Sequence, residues 1–333
     1  MRCDLLLLAE QSIALRYLVL TTLVEPADPA EPGELARLLT TDPLIVEMDE
    51  TQDSNGTWRD RDHAWALYRY GVLGLDTSHE PVARAVEYLL SKQTSDGSWP
   101  LPAGTVDDGL ARSNYDSIPL QTALPLVGLA AVGLATDPRC ERGYQWLLDQ
   151  RIPDGAWPTG RASGVNGYVA GYRRLPHSRW GCRSNTTAAL LALSRHPHLR
   201  GGPEAARAMD LLLGRETRDA ALIGFETARL FGFERVRGFF TRFGRFDPVL
   251  ALGLAVAHGA GTDDERIADL AEWIESQRDA NGLWEYSGDS NASPFVSWQI
   301  LSTLSTLSPG TDIWVSTEPR TPFTPYPQSR RRW

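Results

Sequence analysis

The chain has 333 residues, long enough to bury a large core, and its composition is that of a folded globular protein rather than a disordered or fibrous one. A formal charge of -9, from 42 acidic against 33 basic residues, argues against nucleic acid as the main partner, because neutralising phosphates needs a basic face. Cys3, Cys140 and Cys182 are too few and too scattered for a disulfide framework, and they lack the paired spacing of a zinc site. A reducing, cytoplasmic setting is the expectation.

The chain opens on "MRCDLLLLAEQSIALRYLVL". Asp4, Glu10 and Arg16 interrupt its apolar run, so a helix of the fold is expected there rather than a signal peptide or a membrane span. Next comes "TQDSNGTW", residues 51–58, a polar turn closed by a tryptophan. "RDRDHA" follows, placing Asp60 and Asp62 beside His63 at the start of the apolar helix "HAWALYRYGVLGL". Two carboxyls two residues apart can share a proton, which makes this the leading candidate for acid chemistry, with a solvated acidic turn as the plain alternative. Val82, Ala85, Val86, Leu89 and Leu90 then form one apolar stripe at helical spacing.

That helix runs into "YLLSKQTSDGSW", residues 88–99, and the same template returns as "WLLDQRIPDGAW" at 146–157 and "WIESQRDANGLW" at 273–284. Each has an aromatic, then Asp or Asn eight places on, Gly, and Trp at place eleven. "TQDSNGTW" is a fourth copy that lacks the leading aromatic. "RETRDAALIGFE", residues 215–226, stands where a fifth is due and has lost the signature. A more apolar helix follows each signature ("LQTALPLVGLAAVGL", "TTAALLALS", "PVLALGLAVA", "FVSWQILSTLSTL"), as an inner shell behind an outer one requires. Thr262 is the expected cap of the helix before Trp284. Strand signals are weak, and about twelve helices in six hairpins would close a double shell.

Arg84-Ala85, Tyr88-Leu89, Gln93, Gly97 and Trp99, with Arg142-Gly143, Trp146-Leu147, Gln150, Gly155 and Trp157, resemble the glutamine-tryptophan repeats of squalene and oxidosqualene cyclases. The resemblance, spanning roughly residues 45–310, implies the all-α (α/α)6 barrel of the terpenoid cyclase and protein prenyltransferase superfamily. In that reading the tryptophans Trp58, Trp99, Trp157 and Trp284 staple neighbouring hairpins, and the glutamines bond helix-end backbone or stack on the next tryptophan. One barrel over residues 1–315 and a proline-rich extended tail over 316–333 are expected, with no room for the second barrel of squalene cyclases.

The family's acid motif, Asp-x-Asp-Asp, is missing. The resemblance therefore implies a protonation-initiated cyclisation of a linear isoprenoid or isoprenoid diphosphate only with substitutes: Asp60 or Asp62 as acid, His63 tuning it, and Asp116 in "SNYDSIPL" as a further candidate. Asp107 and Asp108 in "TVDDG" lie in a loop that could meet substrate or merely be solvated. Asp116 and Asp247 each also read as an ordinary helix cap. Arg173, Arg174, Arg179 and Arg183 in "GYRRLPHSRWGCR" could grip a diphosphate, with Mg2+ the one cofactor such a substrate would call for, or could pair with surface acids. Trp65, Tyr68, Tyr115, Phe295 and Trp298 are expected to line an aromatic cavity.

A prenyltransferase-type zinc site fails on its residues, since Trp180 stands where the aspartate before Cys182 is required; a buried, inert Cys182 is expected. The arginine- and phenylalanine-rich "RLFGFERVRGFFTRFGR", from Arg229 to Arg245, fills the slot of the lost repeat and reads as a lid, a membrane contact or a partner surface. A non-catalytic lipid- or peptide-binding barrel is the reading of a different class, a prenyltransferase-like enzyme another, and a sugar-degrading toroid a distant third.

Overall fold

The computed structural model describes residues 4–26, 28–58, 63–100, 117–159, 173–214, 222–234 and 242–315. They fold as an α/α toroid whose helices are α1 (Asp4–Leu8), α2 (Ile13–Thr22), α3 (Glu31–Leu38), α4 (Pro43–Thr51), α5 (His63–Val72), α6 (Glu80–Ser91), α7 (Pro119–Leu129), α8 (Pro138–Asp149), α9 (Arg183–Ser194), α10 (Pro203–Leu213), α11 (Phe225–Phe231), α12 (Pro248–Ala257), α13 (Glu265–Glu275), α14 (Ser293–Ser305) and α15 (Asp312–Val315). No strand occurs among the described residues, only the isolated bridges Pro158–Gly181 and Arg174–Cys182.

Helices α5, α7, α9, α12 and α14 pack side by side in that order, and α14 continues onto α2. The ring closes where Tyr17 of α2 meets Gly74, just past α5. Helices α6, α8, α10 and α13 lie outside, each against the inner helix that precedes it in the chain. The division follows from composition. In α6 only one stripe, Val82, Ala85, Val86 and Leu89, is buried, whereas in α9 every residue from Arg183 to Leu193 is. The opening apolar run is two short helices, α1 and α2, packed on one another and on α14. Helix α13 is capped two residues later than expected: Asp264, not Thr262, accepts the Arg266 N–H, while the Thr262 N–H is taken by the Ser308 carbonyl.

The repeat's parts divide their labour. The indole N–H of Trp58, Trp99, Trp157 and Trp284 donates to the carbonyls of Met48, Leu89, Leu147 and Ile274, each ten residues earlier in the last turns of its own outer helix. The same tryptophans' backbone N–H groups donate forward to Thr122, Thr186 and Ser297 hydroxyls, and for Trp58 to Nδ1 of His63. Each buried tryptophan therefore ties an outer helix to the inner helix that follows it. Contact with the next outer helix is shared with Gln and Gly, the Trp99 ring lying so close to Gly143 of α8 that an added Cβ there would stand 2.9 Å from it. Gln52 donates to the Pro81 carbonyl and Gln93 to that of Arg139, both in the first turn of the next outer helix. Gly97, at φ +94°, sits so close to the backbone of α8 that an added Cβ would lie 2.7 Å from the Arg142 carbonyl carbon. Gly56 meets α6 in the same way, with Arg84 backbone 2.5 Å from its would-be Cβ.

Where the fifth signature is lost, the chain turns into the barrel. Helix α11, bracketed by Gly224 at φ 73° and Gly232 at φ 91°, is buried from Glu226 to Phe231 and packs on inner helices α5 and α14. Its buried Glu226 and Arg229 pair at 3.1 Å, and the Arg69 side chain of α5 donates to the Leu230 carbonyl. Within the Arg229–Arg245 segment, Arg229, Leu230, Phe231, Arg242 and Phe243 are buried, whereas Arg245 is exposed; the Arg242 guanidinium lies 4.8 Å from the centre of the Trp65 ring and Phe243 meets that ring edge-on.

Candidate active site

Beside α11 the toroid encloses a cavity of about 740 Å3. Helix α5 contributes Trp65 and Tyr68, as the sequence suggests, packed edge-to-face with ring centres 5.1 Å apart. The remaining wall comes from the C-terminal halves of α9 and α14, from α12 along its length, from Glu226, Thr227 and Leu230 of α11, and from Ile313 of α15. Its inner surface is apolar and buried, with Leu191, Leu230, Val249 and Leu254 beside Trp65. Its rim is polar and more exposed, carrying Arg195, Arg200, Ser302 and Thr306.

The other expected site residues are dispersed. His63 begins α5, but its Nδ1 accepts the Trp58 N–H at 3.3 Å, taking the place that a threonine or serine hydroxyl has in the other repeats, and its ring stands edge-on to Tyr88. An accepting Nδ1 puts the proton of the neutral ring on Nε2. Phe295 and Trp298 are buried outside the lining. Phe295 stacks on Phe231 at 4.4 Å, and Trp298 meets the same ring while donating to Thr22, so both hold α11 against α14 and α2. Arg173, Arg174 and Arg179 lie on the loop that doubles back before α9; Arg174 and Arg179 are exposed, and Arg179 covers the Trp180 ring at 4.8 Å. Arg183 is buried in the first turn of α9. Asp60, Asp62, Asp107, Asp108, Tyr115 and Asp116 lie outside the described residues, as does the 316–333 tail.

Asp247 caps α12, as its position suggests, and holds α11 as well. Its Oδ1 accepts the N–H groups of Gly224, Val249 and Leu250, and its Oδ2 accepts that of Glu226 at 2.7 Å. Complete burial pushes this carboxyl up to about 7, against the pull of the amides and helped by the nearby Glu226 carboxylate. Asp247 is not part of the cavity lining, so its proton has no direct way to a bound molecule. Cys182 is buried at the head of α9, and burial pushes the Cys140 thiol up to about 12. Among the described residues no three His, Cys, Asp or Glu side chains gather as a metal-binding group. None of the described helices is long and apolar enough to cross a membrane.

Arg195, Arg200, Glu226 and Thr303 were not singled out from the sequence, although all of them face the cavity. Arg195 stands four residues past Leu191, on the same helical face as an inner-shell leucine, and that register is the one signal that could have marked it.

Residues 47–172 match the family model of the squalene-hopene cyclase C-terminal domain. The chain is 31% identical over 169 residues to a probable squalene–hopene cyclase of Sinorhizobium fredii, a stretch covering 47% of this chain and 24% of that one. It is 30% identical over 184 residues to the squalene–hopene cyclase of Zymomonas mobilis, covering 50% and 26%. Human lanosterol synthase is 28% identical over 128 residues, 34% of this chain and 17% of the synthase. The chain thus spans about a quarter of the length of the two squalene–hopene cyclases. Among solved structures, a protein from Actinoplanes aligns over 88% of this chain and 87% of its own at 16% identity, with a TM-score of 0.47. The type II terpene cyclase MstE from Scytonema aligns over 78% and 95% at 15% identity, with a TM-score of 0.35. The stretch that matches the family model contains the signatures at 51–58, 88–99 and 146–157, and the one at 273–284 lies outside it.

Proposed function

We propose that this chain is a terpene cyclase-like enzyme that closes rings in a linear isoprenoid, or an isoprenoid diphosphate, by protonating it. The observation that carries the reading is a largely apolar cavity inside the toroid, with Trp65 and Tyr68 in its wall and both within the stretch that matches the squalene-hopene cyclase domain. In the proposed reaction a carboxylic acid gives its proton to one carbon of a terminal C=C bond. The π electrons form the new C–H bond, the resulting cation is attacked by an internal C=C to form a C–C bond, and loss of a proton to water ends the sequence.

Asp60 or Asp62 is the proposed acid, immediately ahead of the helix that presents Trp65 and Tyr68. His63, next to them in sequence, has its Nδ1 committed to the Trp58 N–H. The Tyr68 and Trp65 π-systems stabilise the developing cation, a contribution of about 0.5–2 kcal/mol per ring. Part of Trp65 is already covered by Arg242 and Phe243, so this ring is held rigid. Phe295 and Trp298 act one layer further out by holding α11, and with it Leu230, in the wall.

Purified chain is incubated with geranyl, farnesyl and geranylgeranyl diphosphates and with squalene, with and without Mg2+, and products are resolved by gas chromatography and mass spectrometry. A cyclic product from at least one substrate is expected, falling about 100-fold or more in Asp60→Asn or Asp62→Asn, the loss typical of a removed general acid. Binding of these molecules with no turnover would replace the enzyme reading by that of a lipid-binding barrel.

A further inference from the structure

The cavity is amphipathic, and among the described residues Arg195 and Arg200 at its rim pair with no carboxylate. Arg84, Arg139, Arg207, Arg266 and Arg278 each pair with an Asp or Glu, as an acidic surface favours. Arg195 instead spends one N–H on the hydroxyl of Tyr68, at 2.6 Å, with its guanidinium 5.0 Å from the centre of that ring. Arg200 faces the same cavity and, among the described residues, pairs with no carboxylate. The carboxylate that reaches the cavity, Glu226, is neutralised by Arg229. Tyr68, having accepted from Arg195, keeps its own proton to donate. Threonine and serine hydroxyls at 302, 303, 306 and 311 stand along the same opening.

From this arrangement we infer that the cavity takes an amphiphile by an anionic head group of the phosphate class, held at the rim by Arg195 and Arg200, with its apolar chain against Leu191, Leu230, Val249, Leu254 and Trp65. A guanidinium whose partner among the described residues is a phenol keeps its remaining N–H donors for a planar or tetrahedral anion, and the apolar wall behind it favours a chain over a free ion. The inference rests on the proposed function only for the identity of that chain. It favours a prenyl diphosphate over uncharged squalene, and it moves the head group from the Arg173–Arg183 loop to the far end of α9.

Isothermal titration of the full chain with inorganic pyrophosphate, farnesyl diphosphate and farnesol tests this. Pyrophosphate and farnesyl diphosphate bind, binding weakens as salt is raised, and farnesol binds at least tenfold more weakly than its diphosphate. Arg195→Gln and Arg200→Gln each weaken diphosphate binding about tenfold or more, the loss of one charge-assisted hydrogen bond. Circular dichroism and melting temperature verify that both variants fold. The inference is overturned if pyrophosphate does not bind, if farnesol binds as tightly as its diphosphate, or if the loss appears in Arg174→Gln and Arg179→Gln instead. Arginine-dependent binding of the diphosphate without cyclisation leaves the head-group site standing and removes the cyclase reading. Cyclisation of squalene by a chain that ignores pyrophosphate does the reverse.

Discussion

Replacing Gly97 and Gly133 by alanine separates two reasons for a glycine. Both have left-handed backbone, φ +94° and +89°, so an L side chain at either costs about 1–2 kcal/mol. At Gly133 nothing lies within 4 Å of an added Cβ. At Gly97 the Cβ would stand 2.7 Å from the Arg142 carbonyl carbon and closer still to its oxygen, in the helix that begins the next repeat. Backbone on the far side cannot swing away as a side chain would, so α8 must move. Overpacking of this kind adds about 1–3 kcal/mol. Gly133→Ala should therefore cost about 1–2 kcal/mol, and Gly97→Ala at least about 1 kcal/mol more. Urea unfolding followed by tryptophan fluorescence measures both, the comparison being made at equal slope so that only the midpoint differs. Equal costs would mean that the turn glycine serves the backbone angle alone and that the repeats are not spaced by this contact.

Three further outcomes follow from side chains already described or packed beside them. His258 is fully buried, with Nε2 against the Leu190 carbonyl at 2.9 Å and Nδ1 accepting from Gly201, and burial pushes it down from 6.5 to about 4. The neutral ring is the one the fold accepts, so its contribution is full above pH 6.5 and is lost as pH falls through about 4. The span amounts to about 3 kcal/mol. Stability measured against pH should slope in that window and flatten in His258→Gln; identical slopes would refute the assignment. Thr122→Val removes the hydroxyl that receives the Trp99 N–H and should cost about 1–3 kcal/mol by thermal or urea unfolding, with Thr122→Ser largely restoring it. Gly224→Ala would drive a Cβ into the side chain of Val296 and displace α11. A melting temperature and farnesyl diphosphate affinity both unchanged would show that α11 does not shape the cavity.

Much of the architecture was legible because its signals are local. A tryptophan eleven places after an aromatic can reach back to the end of its own helix, and Asp or Asn before Gly marks the turn between shells. The partners of the clamp were only partly legible. Trp99 does bridge neighbouring hairpins, its N–H groups joining α6 to α7 and its ring lying against Gly143 of α8, but Gln93 and Gly97 share that bridge by meeting the Arg139 and Arg142 backbone. The missing signature at 215–226 marks a departure, yet nothing in those residues says that the chain dives inward. That depends on Asp247, distant in sequence, whose carboxylate gathers the amides of Gly224 and Glu226. The cavity's arginines escaped notice for a similar reason. Attention to the heads of the inner helices overlooks their tails, where Arg195 and Arg200 become cavity residues only once the ring closes.

The most direct test of the account is isotopic. With the best-accepted substrate, the reaction run in D2O should place one deuterium on carbon in each product molecule, because the acid exchanges with solvent before it protonates the alkene. Cyclic product formed at full rate with no deuterium on carbon would contradict initiation by protonation and point to ionisation of the substrate instead.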